Sequence, residues 1–507
     1  MESTRPVKST FLLLLSVMLL ASGCAASRTP EFAADSAGER LRSVAETARH
    51  HSMTWNISHR GVKGSPWLGV DDEVRLRTAL LGDLDAGSPE FMADGRELLE
   101  RMLELGTESL RLAAAPEEQN AVLADAAAVQ QREREAFEAL AGEEAAAKQW
   151  LVHIKRALPP AEPHAGRTWR ALSAAPAWPF VRGWIAWHAA HEWRGPNWHD
   201  FAYVRLYEPD ASRDAAIVAH LGEATDDELL RFYAPVIAQE LAETPDYRDD
   251  LIGAPELVPD RHGDPVGRVD GTRPTIYGHI SHAFVQGRWL NQVNYSFWYN
   301  DHPAGKKDDP EAGMVEGQLL RITLDENNRP LVAETTYACG CYHRLYPVEA
   351  FEAAAERAFG EPVSGPYALA DDVPHRIDPA IPELAGTFDS RWPHPLVYVR
   401  SGFHMIAAVK WGEAAPEAWE TFALELQPSV SLEQLPWGGG TASLFARDGL
   451  VRGGDRPEAR MLYPSGLYHA GTPRVRGIHE IHFDEYDYDD PALLETMLRI
   501  PELKEIH

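Results

Sequence analysis

Apolar residues are spaced differently in the two halves of this chain. Between residues 71 and 158 they recur three and four positions apart, as in Leu98, Leu99, Met102, Leu103 and Leu105, followed by Leu110. That interval lines one face of an α-helix. Ala121–Leu140 is rich in Ala, Glu, Gln and Arg, which lose little freedom in a helix. Trp150, Leu151, Ile154 and Leu158 extend the stripe until Pro159-Pro160 removes two backbone donors and stops it. The pattern predicts packed antiparallel helices. Thr225-Asp-Asp-Glu228 reads as a capping box that opens a further helix through Leu230, Phe232 and Ile237.

Beyond residue 274 the period shortens to two. Thr275–Val285, Arg288–Tyr299, Gln318–Leu324 and Leu331–Cys341 are rich in aromatic and β-branched residues and predict strands. Gln286-Gly287 and Asp325–Pro330 predict the turns between them. Val348–Phe359 reads as a helix, strands resume at Leu396–Val399, His404–Trp411, Thr421–Leu426 and Ala442–Phe445, and a last helix falls near Pro491–Arg499. Pro245, Pro255, Pro259, Pro265 and Pro274 interrupt both periods. The expected architecture is α+β: a mainly helical region over 51–250, a linker over 251–274, an antiparallel β-rich domain over 275–490 and a C-terminal tail over 491–507.

Composition narrows the function. A chain of 507 residues exceeds what one core usually serves, and 15 Trp, 16 Tyr and 16 Phe mark it as folded. The net charge of −29, from 48 basic and 77 acidic residues, repels phosphate backbones and argues against nucleic acid as a partner. It equally disfavours electrostatic adhesion to anionic lipid.

The N-terminus carries an address. Arg5 and Lys8 form a basic start, and Phe11–Leu20 is an apolar run of about ten residues. That is short of the roughly 20 residues a helix needs to span a bilayer, and it suits a signal peptide. Ala21-Ser-Gly-Cys24 then resembles the lipobox of bacterial lipoprotein precursors. The resemblance implies a signal peptide over 1–23, a lipidated Cys24 and a tether over 24–50, so that membrane contact is made through the N-terminal lipid. Ala25, which is not an aspartate, implies by the same resemblance an outer-membrane anchor facing the periplasm. That compartment is oxidising, and with Cys24 lipidated only Cys339 and Cys341 remain.

These two cysteines lie in Tyr337-Ala-Cys-Gly-Cys-Tyr-His343, the most chemically specific stretch of the chain. On one straight strand Cys339, Cys341 and His343 face the same way, with side chains i and i+2 about 6.6–6.8 Å apart. Disulfide-bonded cysteines have Cα atoms about 4.4–6.8 Å apart, so a joint site requires a bend, and Gly340 is the residue that permits one. Three readings follow. In the first, Cys339, Cys341 and His343 bind zinc, copper or iron, with a further ligand from His279, His282, His302, His404, His479 or His482. In the second, Cys339 and Cys341 form a small, strained and therefore reducible disulfide. In the third, one thiolate is a nucleophile activated by an imidazole. The first two lead, as a metal-binding envelope protein or as a lipoprotein that binds a small molecule or protein, with its cysteines paired.

Other features have plainer readings. Trp169, Trp178, Trp184, Trp187, Trp193 and Trp198 crowd a segment in which His188 and His191 share a helical face, either as a metal pair or as core imidazoles. Trp437-Gly-Gly-Gly-Thr441 lacks the Lys-Ser/Thr of a phosphate loop and reads as a turn. Asp484–Asp490 has no EF-hand spacing and reads as a solvated acidic loop. Arg452, Arg456, Arg460, Arg474 and Arg476 cluster in an acidic chain and suit either an anionic group or salt bridges. Tyr277, Asn291, Gln292, Asn294, Tyr295, Trp298 and Arg321 alternate on neighbouring strands, where buried amides need partners. Arg273–Tyr277, Leu290–Trp298, Gly317–Leu324 and Cys339–His343 together resemble a group of bacterial exported proteins over roughly residues 230–490. The resemblance implies one domain and brings no activity with it.

Overall fold

A computed structural model describes residues 36–50, 65–114, 117–158, 203–212, 214–241, 251–303, 309–360, 394–411, 415–446, 449–462, 471–474, 480–481 and 486–506. Cys24, the tryptophan-rich segment with His188 and His191, Arg476, His479 and His482 lie outside the described residues. Among the described residues, no helix is long and apolar enough to cross a membrane.

The expected helices form one layer: α1 (Ser36–His50), α2 (Asp72–Leu81), α3 (Pro89–Ala113), α4 (Gln119–Glu138) and α5 (Glu144–Ala157). The three-and-four spacing buries Leu98, Leu99, Met102, Leu103, Leu105 and Leu110 of α3 against Phe137, Leu151 and Ile154. Asp71 and Ser88 cap α2 and α3 by accepting from Val74 N and Phe91 N. Gly106 allows Trp67 to cross α3 closely, since a Cβ there would lie 2.1 Å from the Trp67 carbonyl.

Two sheets follow, making the fold α+β as expected. Short helices α6 (Asp214–Val218) and α7 (Asp226–Phe232) separate β1 (Val204–Glu208) from β2 (Val236–Glu240). The region over 51–250 is therefore not helical throughout. The α7 stripe ends before Pro235, and Ile237, expected on the helix, is buried in β2. The linker expected over 251–274 is the β3 (Ala254–Pro259) and β4 (Pro265–Asp270) hairpin. Its prolines are tolerated because each strand has only the other as neighbour and Pro259 and Pro265 face each other at the turn.

The larger sheet runs β13-β5-β6-β7-β8-β9, from β5 (Thr275–Val285), β6 (Arg288–His302), β7 (Gly313–Leu324), β8 (Pro330–Tyr337) and β9 (Arg344–Pro347) to β13 (Glu425–Pro428). It is antiparallel except for β13 against β5. The smaller sheet runs β11-β10-β2-β1-β12, combining the two early strands with β10 (Leu396–Val399), β11 (Ile406–Lys410) and β12 (Glu420–Ala423). Period-two alternation gives the larger sheet an apolar face of Ile276, Val293, Tyr295, Phe297, Leu320, Ile322, Ala333 and Tyr346. This face shares a core with Ile237, Val397, Val399 and Val409 of the smaller sheet, and α8 (Glu349–Phe359) joins it through Phe351. The opposite face carries His279, Gln292, Asn294, Arg321 and Glu334, and the helical layer docks beside it through Glu73 to His282.

Candidate functional site

Strand β8 stops at Tyr337, two residues short of Cys339. The chain then turns: Gly340 adopts φ 86°, and its N–H donates to Tyr337 O at 2.8 Å. A left-handed φ costs glycine nothing. Tyr337 N–H and Thr336 Oγ1 both donate to Cys341 O, at 3.0 and 2.9 Å. Tyr342 takes φ 56° with its ring against Tyr337, and β9 returns antiparallel to β8. Cys339-Gly-Cys341 is thus a hairpin turn, and the straight-strand separation does not apply.

The turn sets the two cysteines on either side of Gly340, and both are free. Cys339 is buried and Cys341 partly exposed. Cys339 is pushed down by the hydrogen bond from Cys341, against its burial, with further help from the Arg474 charge. Cys341 is pushed well up by that same bond and by burial. Of the two, Cys339 is the readier to ionise.

Among the described residues, His343, His279, His282, His302 and His404 all bond elsewhere than to this pair. His343 Nε2 lies 3.0 Å from Glu334 Oε1. Glu334 also accepts from Arg321 Nε at 2.9 Å and Nη2 at 2.8 Å, and Arg321 stacks 3.8 Å over the Tyr488 ring. Burial alone raises a carboxyl, yet Arg321 and His343 hold Glu334 down at about 2. His279 meets Ser429 Oγ at 3.1 Å, and His282 meets Glu73 Oε2 at 3.0 Å. Among the described residues, no three His, Cys, Asp or Glu side chains are arranged to hold a metal ion. The physical reason is local. The kink that joins the sulfurs also re-enters the sheet at Arg344, and His343 is carried back toward Glu334.

His302 and His404 meet elsewhere, on Glu316. Their Nδ1 atoms lie 2.6 and 2.7 Å from its two carboxylate oxygens. His404 stacks on Tyr299 with centroids 3.7 Å apart, and Tyr299 donates to Gln239 across the two sheets. Tyr337, which opens the thiol turn, donates to Phe403 O at 2.5 Å. The turn is thereby tied to the β10–β11 connection.

Of the arginine cluster, Arg474 reaches the turn through its main chain. Arg474 N–H donates to Ala338 O at 2.8 Å. Arg456 is buried, donating from Nη1 to Met314 O and Gly454 O and from Nη2 to Val315 O. Gly313 makes room for it, as a Cβ there would lie 2.4 Å from Nη1. Arg452 instead holds Ser443 O. Glu316 and the special status of Arg456 escaped sequence reasoning. The only signal was a lone carboxylate in the strand Val315-Glu316-Gly317 and an excess of arginine.

The polar strand residues form a network. Gln292 accepts from Ser281 and donates to Thr323, both at 3.0 Å, and Asn294 donates to Ser281 at 2.9 Å. Beside it is a cavity of about 50 Å³ lined by His279, Ser296, Trp298, Glu433, Phe445 and Arg474, among others. Trp437–Gly440 is the turn of a hairpin, with Gly438 and Gly439 at positive φ, as expected. In the acidic loop Asp487 is pushed up to about 8, by burial first and then by Asp489 and Asp72. No protein family, curated protein or solved structure matches the chain.

Proposed function

We propose that this chain is a lipid-anchored envelope protein whose Cys339–Cys341 pair cycles between dithiol and disulfide. One observation carries the reading: the Gly340 turn, closed by Tyr337 N–H and Thr336 Oγ1 on Cys341 O, folds the chain back between two free cysteines one residue apart. Removal of two electrons and two protons from such a pair closes the sulfur–sulfur bond. The ring encloses a single residue, so it gains little from loop closure and reopens readily with a reductant. The lipobox supports the anchor, and an oxidising compartment supports the chemistry.

The test is a thiol count on full-length protein before and after mild oxidation. Both thiols are expected to disappear together, to return with a dithiol reductant, and to leave one unpaired thiol in Cys341→Ser. Elemental analysis belongs to the same experiment. A stoichiometric metal ion that is lost in Cys339→Ser/Cys341→Ser overturns the redox reading in favour of a thiolate metal site. For the anchor, incorporation of labelled fatty acid should vanish in Cys24→Ser.

A further inference from the structure

The cavity of about 50 Å³ beside the polar network is built from distant parts of the chain. Strands β5 and β6 give it a floor with His279, Ser296 and Trp298. The short 3₁₀ helix Ser429–Glu433 closes over it, with His279 Nδ1 3.1 Å from Ser429 Oγ. Gly317 makes room for the indole that forms one wall, since a Cβ there would lie 2.6 Å from the Trp298 ring. Phe445 packs against that ring with centroids 6.2 Å apart, and Leu319 and Leu432 complete an apolar surface. Two buried charges of opposite sign line the same space: Glu433, 8% exposed, and Arg474, 7% exposed. Glu433 accepts from Ser443 Oγ at 2.9 Å, and the main chain of Arg474 is pinned to Ala338 O at 2.8 Å. Glu108 of α3 and Asp489, both partly buried, add two more carboxylates to the lining.

Size and charge together define what fits. One water occupies roughly 10–15 Å³ of such a space, so the cavity takes a molecule of about four to six non-hydrogen atoms. A bare cation would lie against the Arg474 guanidinium, and a bare anion against three carboxylates. Like charges repel strongly where water is displaced. A zwitterion meets both signs with its own. From this geometry we infer that the cavity binds a small α-amino acid, its ammonium group at Glu433, its carboxylate at Arg474 and its short side chain against Trp298, Phe445 and Leu432. Arginine suits the carboxylate because its planar fork donates two parallel hydrogen bonds. Glu108 and Asp489 attract the ammonium end and turn away simple carboxylic acids. The site makes and breaks no covalent bond, and it does not rest on the dithiol reading.

The experiment is equilibrium dialysis of full-length protein against labelled glycine and L-alanine, with ethylammonium and propionate as probes of a single charge. One saturable site per chain is expected for the two amino acids. Either probe meets only one of the two buried charges and is expected to bind about tenfold or more weakly. Glu433→Gln keeps an acceptor for Ser443, and Arg474→Met leaves the main-chain bond to Ala338 in place. Each is expected to weaken alanine binding about 30-fold or more, the scale of removing one partner of a buried charge pair. Val430→Phe, on the partly buried 3₁₀ helix, is expected to abolish binding by filling the space. If Arg474→Met does not fold, Arg474→Lys keeps the charge, loses the fork and is expected to weaken binding in the same direction. Ethylammonium or propionate bound as tightly as alanine overturns the zwitterion assignment. Alanine binding that survives all three substitutions overturns the site, as does the lack of saturable binding of either amino acid.

Discussion

Glu133 in the helical layer and Glu334 in the larger sheet are both buried glutamates, and their chemistry is opposite. Glu133 accepts one hydrogen bond, from Trp67 Nε1 at 2.9 Å, and burial pushes its carboxyl up to about 7. Glu334 receives both prongs of Arg321 and lies 3.0 Å from His343, and it is held down at about 2 despite deeper burial. Burial sets the cost of a charge, and the partners decide its sign. Glu316, clamped by His302 and His404, follows Glu334 and is lowered. The thiol turn combines both situations: Cys339 is lowered by a hydrogen bond while Cys341 is raised. Saturated clusters such as Arg321–Glu334–His343 hold the fold.

The strongest way to break this comparison is Glu334→Ala. It leaves Arg321 buried without a carboxylate and should cost about 3–5 kcal/mol in urea unfolding. A loss near that of an ordinary surface substitution would show the cluster to be dispensable. The pH dependence has a definite sign. Because the folded value is depressed, Glu334's contribution is present above the unfolded value of 4.5 and disappears as pH falls toward about 2.

Glu133→Gln tests the other arm. Glutamine keeps an acceptor for Trp67 and does not titrate. Glu133 has a raised folded value, so the stability it confers is complete below 4.5 and is lost as pH rises toward about 7. The wild type should therefore fall behind the variant by ~3 kcal/mol between pH 4 and pH 8. Parallel stability curves for the two proteins would contradict this account of Glu133. The smallest expected effect is in the same layer. Ser88→Ala removes the cap on Phe91 N and should cost about 1 kcal/mol, independent of pH over that range. Thermal unfolding at two pH values reads out both the size and the flatness.

Much of the fold was legible along the chain. The α3 stripe, the β5–β8 strands, the helix over Glu349–Phe359 and the Asp325–Pro330 turn follow from local periods and turn residues. Strands β1 and β2 were not legible, because each pairs with strands drawn from residues 396–423 as well as with the other. Each is five residues long, too short for its own period to show. The candidate site was half legible. Cys339, Cys341 and the bend at Gly340 were readable, whereas the turning away of His343 depends on where β9 rejoins β8.

What the sequence by itself determined is the set of local preferences: two hydrophobic periods, a glycine able to turn between two cysteines, and an excess of acid over base. These act within a few residues and need no partner. Only the tertiary structure decided which charges are answered. Arg321 stands opposite Glu334 because β7 and β8 pair in that register, and a slip of one residue in either strand would leave the two on opposite faces. Arg456 reaches the start of β7 from more than a hundred residues away through the main-chain carbonyls of Met314 and Val315, which any sequence possesses. Such contacts are made by backbone and register, which leave no mark in the order of side chains.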